Sequence, residues 1–331
     1  MKKIIIPLAS LFLLFTTNKA KAQVDPHFSE YYMYPSWLNP ALTGAIDGDY
    51  RISAIYRNQW NNTFATKGLS GELVTDKNVN FGGSILQEST GDAGYTYTTA
   101  YLSAAYTGVK FGTNGNQRLV FGLQGGVVNR RINQSKLQFY SQVDPVTGAI
   151  NPSSTETFPN SSSTVFDAAA GIMYFDATPD QRVNVFGGFS ASHITQPETS
   201  FGSGSAKEKI PVRYTVHGGA KIKVNDVVSI TPNFLYLRQS NAEEKMLGAY
   251  VQMKATSTTD LMLGANYRFK DAFVPFVGLY YERFVFGFAY DVTASDLSKA
   301  VPNTNSFEIS LSITGRKTKN YPSEHFVCPR L

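Results

Sequence analysis

Phe307-Glu308-Ile309-Ser310-Leu311-Ser312-Ile313-Thr314 alternates without a break, with Phe307, Ile309, Leu311 and Ile313 on one face and Glu308, Ser310, Ser312 and Thr314 on the other. A period of two, with one apolar face and one small or polar face, is the mark of a half-buried strand. The theme recurs upstream. Leu119, Phe121, Leu123, Gly125 and Val127 interleave with Gly122, Gln124 and Gly126, and Val183, Val185, Gly187, Phe189 and Ala191 repeat it. Tyr214, Val216, Gly218, Ala220 and Ile222 oppose Arg213, Thr215, His217, Gly219 and Lys221. The pattern predicts about fourteen strands, at 50–57, 65–75, 80–88, 95–109, 118–131, 165–175, 182–195, 211–223, 227–239, 245–256, 260–269, 272–281, 284–292 and 305–315. Many exceed the ~5–6 residues usual in soluble proteins and reach the ~9–11 that a tilted membrane-spanning strand needs.

The connections alternate in length as well. If the first strand runs outward from the periplasm, the inner links 76–79, 110–117, 176–181, 224–226, 257–259 and 282–283 are all short. The outer links include 132–164, 196–210 and 293–304, the longest in the chain; only the outer link 270–271 is short. Short periplasmic turns with long extracellular loops belong to outer-membrane barrels. The Ser-, Asn- and Pro-rich stretch 132–164 reads as a surface loop or a plug. The expected fold is therefore all-β: a transmembrane antiparallel β-barrel of about fourteen strands, with N- and C-terminal segments on the periplasmic side.

Composition agrees. Of 331 residues, 17% are charged, against about 25% in an average soluble domain, while 13% are aromatic. That balance opposes long disorder, and beyond the first residues no stretch approaches the ~20 apolar residues of a membrane helix. Lys2 and Lys3, the apolar run from Ile4 to Phe15 and Ala20-Lys21-Ala22 form a secretory signal peptide over 1–22. Its removal takes four lysines and no acid from a formal charge of +5, leaving +1. Nothing in that balance asks for nucleic acid. The remaining divisions are an N-terminal periplasmic or plug segment 23–49, proline-punctuated, ordered and non-strand with a short helical turn, the barrel 50–315 and a C-terminal periplasmic tail 316–331.

Chemistry is sparse. His27, His193, His217 and His325 are scattered without metal-ligand spacing, and there is no phosphate-cradling loop motif. His193 stands beside Ser192, but the local sequence offers no orienting acid. Glu243-Glu244 reads as a solvated outer-loop pair. The single cysteine, Cys328, forms no internal disulfide and reads as a buried small hydrophobe or a reactive thiol. No catalytic residue, metal or cofactor is expected. The strand glycines are architectural, permitting curvature or close approach of interior elements. Tyr50, Tyr56, Tyr95, Tyr97, Tyr280, Tyr281, Phe284, Phe286 and Phe288 fall toward strand ends, as in interfacial girdles. Arg51, Arg57, Arg130, Arg213, Lys221 and Arg268 take lumen positions, which suits a pore or a lumen filled by other segments.

Several stretches carry a resemblance. Gln23-Val24-Asp25-Pro26-His27-Phe28-Ser29, then Met33-Tyr34-Pro35 through Leu38-Asn39-Pro40-Ala41 to Gly44, Tyr56-Arg57-Asn58-Gln59-Trp60 and the tail Cys328-Pro329-Arg330 are similar to the PorP/SprF family of Bacteroidota. The resemblance spans the mature chain; it departs at Leu331, where a terminal aromatic is common. It implies a non-enzymatic outer-membrane barrel of the type IX secretion system. Such a barrel helps deliver, or hold at the surface, cargo proteins with a C-terminal signal domain, including adhesins in gliding species. Its implied partners are outer-membrane lipid, secretion machinery on the periplasmic side and that cargo. Aromatic and arginine anchors dominate protein interfaces, so Trp37, Arg57 and Trp60, with Asn39, Pro40, Cys328 and Arg330 of the family-like stretches, are the candidate partner-binding residues. The alternative is a porin or a hydrophobic-substrate transport channel.

Overall fold

The computed structural model describes residues 25–91, 94–151, 160–200, 207–302 and 304–316. Residues 1–22, expected as a leader, and Cys328 and Arg330 lie outside them. Sixteen strands are present among the described residues: β1 (Tyr50–Gln59), β2 (Phe64–Leu73), β3 (Val79–Thr90), β4 (Tyr95–Phe111), β5 (Gln117–Ile132), β6 (Ser162–Asp176), β7 (Val183–Ser192), β8 (Glu198–Ser200), β9 (Lys207–Lys209), β10 (Arg213–Lys223), β11 (Val228–Gln239), β12 (Ala242–Lys254), β13 (Thr259–Arg268), β14 (Ala272–Tyr281), β15 (Phe284–Thr293) and β16 (Ser306–Gly315). All but β8 and β9 join one closed antiparallel barrel of fourteen strands, in which β7 pairs with β10 and β1 closes on β16. The short hairpin of β8 and β9 projects from the outer link between β7 and β10.

Every predicted strand overlaps a barrel strand. In β16 the predicted register holds: Ser310 and Ser312 are buried inside, whereas Ile309 is half exposed on the outside. Burial is inverted relative to a soluble protein. Leu102 is 75% exposed and Leu123 67%, while Arg57, Asp167 and Glu308 are 0% exposed. An outer face of exposed Leu, Ile, Phe and Val has a home only in lipid, and a closed barrel satisfies its own backbone hydrogen bonds there. No helix among the described residues is long and apolar enough to cross a membrane; the crossing is made by strands.

Two readings are corrected. Tyr97 turns inward, 5% exposed beneath Arg130, and Tyr95 and Tyr280 pack against the interior as well, so none of the three belongs to a girdle. Glu244 lies on β12, with its carboxylate facing His27 of the lumen at 3.8 Å rather than open solvent. Of the two readings of 132–164, surface loop and plug, residues 134–151 fit the first, being mostly exposed.

The lumen is filled instead by residues 25–49. This segment starts near the outer end, beside β10 and β11, and descends to enter β1 from the side of the short turns. Pro35 opens one turn of α-helix (Pro35–Leu38) and Pro40 a 3-10 turn (Pro40–Leu42). Proline suits both first positions, because its φ is preset and its missing N–H would have no helical partner. Asn39 caps the second turn, its Oδ1 accepting from Ala41 N at 2.9 Å. Phe28, Tyr31, Tyr34, Leu38 and Leu42 are buried almost completely and form the centre of the molecule's core. Phe28 makes edge-on ring contacts with Tyr34 (5.6 Å) and Trp37 (5.9 Å), a favoured aromatic geometry.

Candidate functional site

Three sets of contacts hold this plug. The first surrounds Ser29, every polar atom of which is engaged. Its N–H donates to Glu308 Oε1 at 2.5 Å and its hydroxyl to Asp291 Oδ1 at 2.8 Å. That hydroxyl also accepts from Arg57 Nη1 at 2.9 Å and Arg268 Nη1 at 3.0 Å, and its carbonyl accepts from Asn266 at 3.2 Å. The next residue's N–H donates to Glu308 Oε2 at 2.8 Å. Arg57 Nη2 and Arg268 Nη2 reach Asp291 Oδ2 at 2.8 and 2.6 Å, and Arg57 Nη1 also pairs with Glu308. Two arginines and two carboxylates from four wall strands thus balance to zero around one plug serine. Buried ions require that balance, because an unpaired charge in a low dielectric is prohibitive.

The plug's own titratable groups adapt to this setting. Burial, then the Glu308 carboxylate, pushes Glu30 well above the usual carboxylate range, and it accepts from Ser310 Oγ at 3.0 Å. Burial, with Arg268 and Arg57 nearby, holds His27 well below its ordinary value, so its ring is neutral.

The second set closes the outer end. His193 stands between two carboxylates: its Nδ1 is 2.6 Å from Asp167 of β6 and its Nε2 is 2.6 Å from Asp25 of the plug. Arg213 Nη1 reaches Asp25 at 3.2 Å, while its Nη2 donates to the Trp37 carbonyl at 2.8 Å and its guanidinium lies over the Trp37 ring at 4.6 Å. Asp25 and Gln239 exchange two hydrogen bonds, at 2.9 and 3.3 Å. Burial opposes the imidazolium, but Asp25 and Asp167 outweigh it and raise His193 to about 9. Burial also opposes the Asp25 charge, yet His193 and Arg213 hold its carboxyl below the usual range. The acids missing from the sequence around Ser192-His193 therefore exist in space. They occupy both ring nitrogens, which leaves neither to activate a hydroxyl nucleophile.

The third set seats the Asn39-Pro40-Ala41 turn. Asn39 Nδ2 donates to the Ile172 and Phe189 carbonyls at 3.0 and 3.3 Å and lies 3.2 Å from His217 Nε2; Ser190 Oγ donates to the Leu38 carbonyl at 2.7 Å. The wall is glycine where the turn touches it. A Cβ at Gly122 would lie 2.1 Å from Ala41 N, and one at Gly171 2.0 Å from Asn39 Oδ1. These glycines admit the close approach of an interior element, one of the two roles expected of them.

Of the candidate partner-binding residues, Trp37, Asn39, Pro40 and Arg57 all lie in the lumen, each committed to contacts within the chain. Trp60 stands apart in the outer turn after β1, at φ +52° and edge-on to Phe64 at 5.5 Å. Ser29, Asp25, Asp167, Asp291 and Glu308 escaped notice. The available signal was a lone acid on the inward parity of a strand, as at Glu308, which demands a cation across the lumen. Among the described residues no group of His, Cys, Asp and Glu could hold a metal ion.

A closed fourteen-strand barrel with an apolar outer face and an ion-locked plug is an outer-membrane β-barrel protein. Similar solved structures include the Pseudomonas putida toluene transporter TodX (10% identity over 86% of this chain and 93% of that one, TM-score 0.50) and the Ralstonia pickettii toluene transporter TbuX (12%, 85%, 92%, 0.48). The KdgM porin is a more distant match (9%, 80%, 98%, 0.39). At these identities the likeness speaks to fold alone. No curated protein sequence matches. The chain belongs to the family of type IX secretion system membrane proteins PorP/SprF, whose sequence model matches residues 20–313. The fold and family are non-enzymatic in general, and their place is the outer membrane.

Proposed function

We propose that this barrel supports the secretion or surface attachment of proteins carrying a C-terminal signal domain, acting as a closed, non-enzymatic component of the type IX machinery. The observation that carries this reading is the plug. Residues 25–49 fill the lumen and are fixed by two buried ionic clusters, an arrangement ill suited to a steadily open pore. What remains accessible is outer loop surface, including 132–151 and the rim at Trp60, and the mouth on the side of the short turns. The outer loops are the place for a folded cargo domain, the inner mouth for secretion machinery, and the apolar outer face for lipid.

Deletion of the gene is expected to leave a secreted or surface-held cargo missing or mislocalised, with small-solute uptake unchanged. Pull-down of the tagged barrel is expected to bring cargo or machinery chains with it. A second reading, a transport channel, is favoured by two inner-end cavities of about 380 and 370 Å³. Large, steady conductance of the intact protein in planar bilayers, with normal cargo display after deletion, would put that reading ahead.

A further inference from the structure

In the outer half of the barrel wall, the charged side chains on the lipid-facing parity are Lys67 of β2, Arg131 of β5, Arg238 of β11 and Glu243 and Lys245 of β12. The last three are paired with one another: Arg238 is the cross-strand neighbour of Glu243, and Lys245 Nζ lies 3.0 Å from the Glu243 carboxylate. Lys67 and Arg131 are both exposed and have no ion pair among the described residues. The acids of the neighbouring strands do not serve them, because Glu72 of β2, Glu88 of β3 and Asp167 of β6 face the lumen. A cation on the lipid side of a barrel is costly in proportion to its depth, so two unpaired ones on one side point to an anion that meets them there.

The strand register joins the two cations by a polar row. Lys67 is flanked by Tyr56 and Gln87, and the row runs on through Thr98 and Asn129 to Thr164. Arg131 is the next lipid-facing residue of β5 above Asn129. Just below the row, Leu69, Ile85, Val127 and Phe166 are exposed members of the apolar band. The row also climbs. Followed from strand to strand, the level that starts at Tyr50, at the inner end of β1, arrives at Arg238, near the outer end of β11, as the tilt of barrel strands requires. With strands ~4.8 Å apart and tilted by ~40°, Arg131 stands roughly 10–15 Å further from the bilayer midplane than Lys67.

We propose that Lys67, Arg131 and the polar row between them bind the anionic sugar headgroup of an outer-leaflet glycolipid, a lipopolysaccharide. A phospholipid carries one phosphate at one depth and would meet Lys67 alone. A lipopolysaccharide stacks phosphates and acidic sugars outward from its acyl chains, so one molecule covers the height from Lys67 to Arg131. Its acyl chains pack on Leu69, Ile85 and Phe166, while a phosphate meets the Lys67 ammonium. Higher up, the planar fork of Arg131 takes an anionic group of the sugars, and Gln87, Thr98 and Asn129 offer hydrogen bonds to their hydroxyls. The inference uses the outer-membrane placement and is independent of the secretion reading.

The test is native mass spectrometry of the intact barrel in a neutral detergent, titrated with bisphosphorylated lipid A carrying two acidic inner-core sugars and, separately, with phosphatidylglycerol. The glycolipid is expected to bind saturably and more tightly than phosphatidylglycerol. Lys67→Gln and Arg131→Gln are each expected to weaken it by about fivefold, the worth of one cation at an anionic membrane surface. Lys67→Arg, which keeps the charge, should retain binding, and so should Lys245→Gln, whose charge is already paired with Glu243. All these side chains are exposed, so unchanged melting temperatures are expected and a lost affinity reports the site rather than the fold. Wild-type affinity in the Lys67→Gln, Arg131→Gln double variant overturns the proposal. Phosphatidylglycerol binding as tightly as the glycolipid also overturns it, since the rim would then be a general anionic-lipid belt. So does an equal loss in Lys245→Gln, which would reduce the effect to net charge.

Discussion

Arg57 is the side chain on which the plug's ionic lock depends most. It touches Ser29, Asp291 and Glu308 together at zero exposure. Arg57→Ala would leave two carboxylates short of their partner and is expected to cost roughly 3–5 kcal/mol, read as a lowered unfolding midpoint in detergent. Arg57→Lys should lose less but not nothing, since an ammonium lacks the planar fork that serves three acceptors at once. His193 makes the outer latch pH-dependent. Its folded value of about 9 lies above its ordinary 6.5, so its stabilisation is complete below 6.5 and drains away as pH rises through 9. The amount is roughly 3 kcal/mol. Unfolding midpoints of the wild type should fall between pH 7 and 10, whereas those of His193→Gln should start lower and vary less over that window.

A barrel strand declares its parity, and β16 does so most plainly. Leu311→Arg is expected to impair assembly, since a charge near the bilayer midplane costs about 2–4 kcal/mol. Ser312→Arg should be milder, because Ser312 lines the inner cavity. Ser310→Arg should assemble yet unseat the plug, because Ser310 Oγ bonds Glu30 directly. Heat-modifiable migration reports assembly, and protease cleavage within 25–49 reports plug seating. Equal damage at all three positions would mean a register wrong by one residue. Parity also explains what could be read in advance. Alternation located every barrel strand, though not the short β8 and β9, but in β4 both faces are apolar, Tyr95, Tyr97 and Tyr101 inside against Leu102 and Tyr106 outside, so Tyr97 passed for a girdle residue. The plug's partners were harder still. Asp25 meets a residue 214 positions away and Ser29 one 279 away, and no local period encodes which inward faces will converge.

For the whole molecule, the alternation of short and long links predicts orientation. Single cysteines in 132–164 or 196–210 should react with an impermeant thiol reagent on intact cells, and ones in 177–181 should not; the reverse pattern would invert the barrel. One further feature bears on how such a molecule is made. Arg57 and Glu308 are cross-strand partners in the seam where β1 meets β16, and it is this same Glu308 that caps the N–H groups of Ser29 and Glu30. A segment made early in synthesis therefore waits for one made nearly last. Until the final strand inserts, the lock at Ser29 lacks Glu308, and the plug around it stays open to proteases. Cleavage within 25–49 should accordingly mark chains whose seam has not closed, making the plug a built-in record of completed assembly.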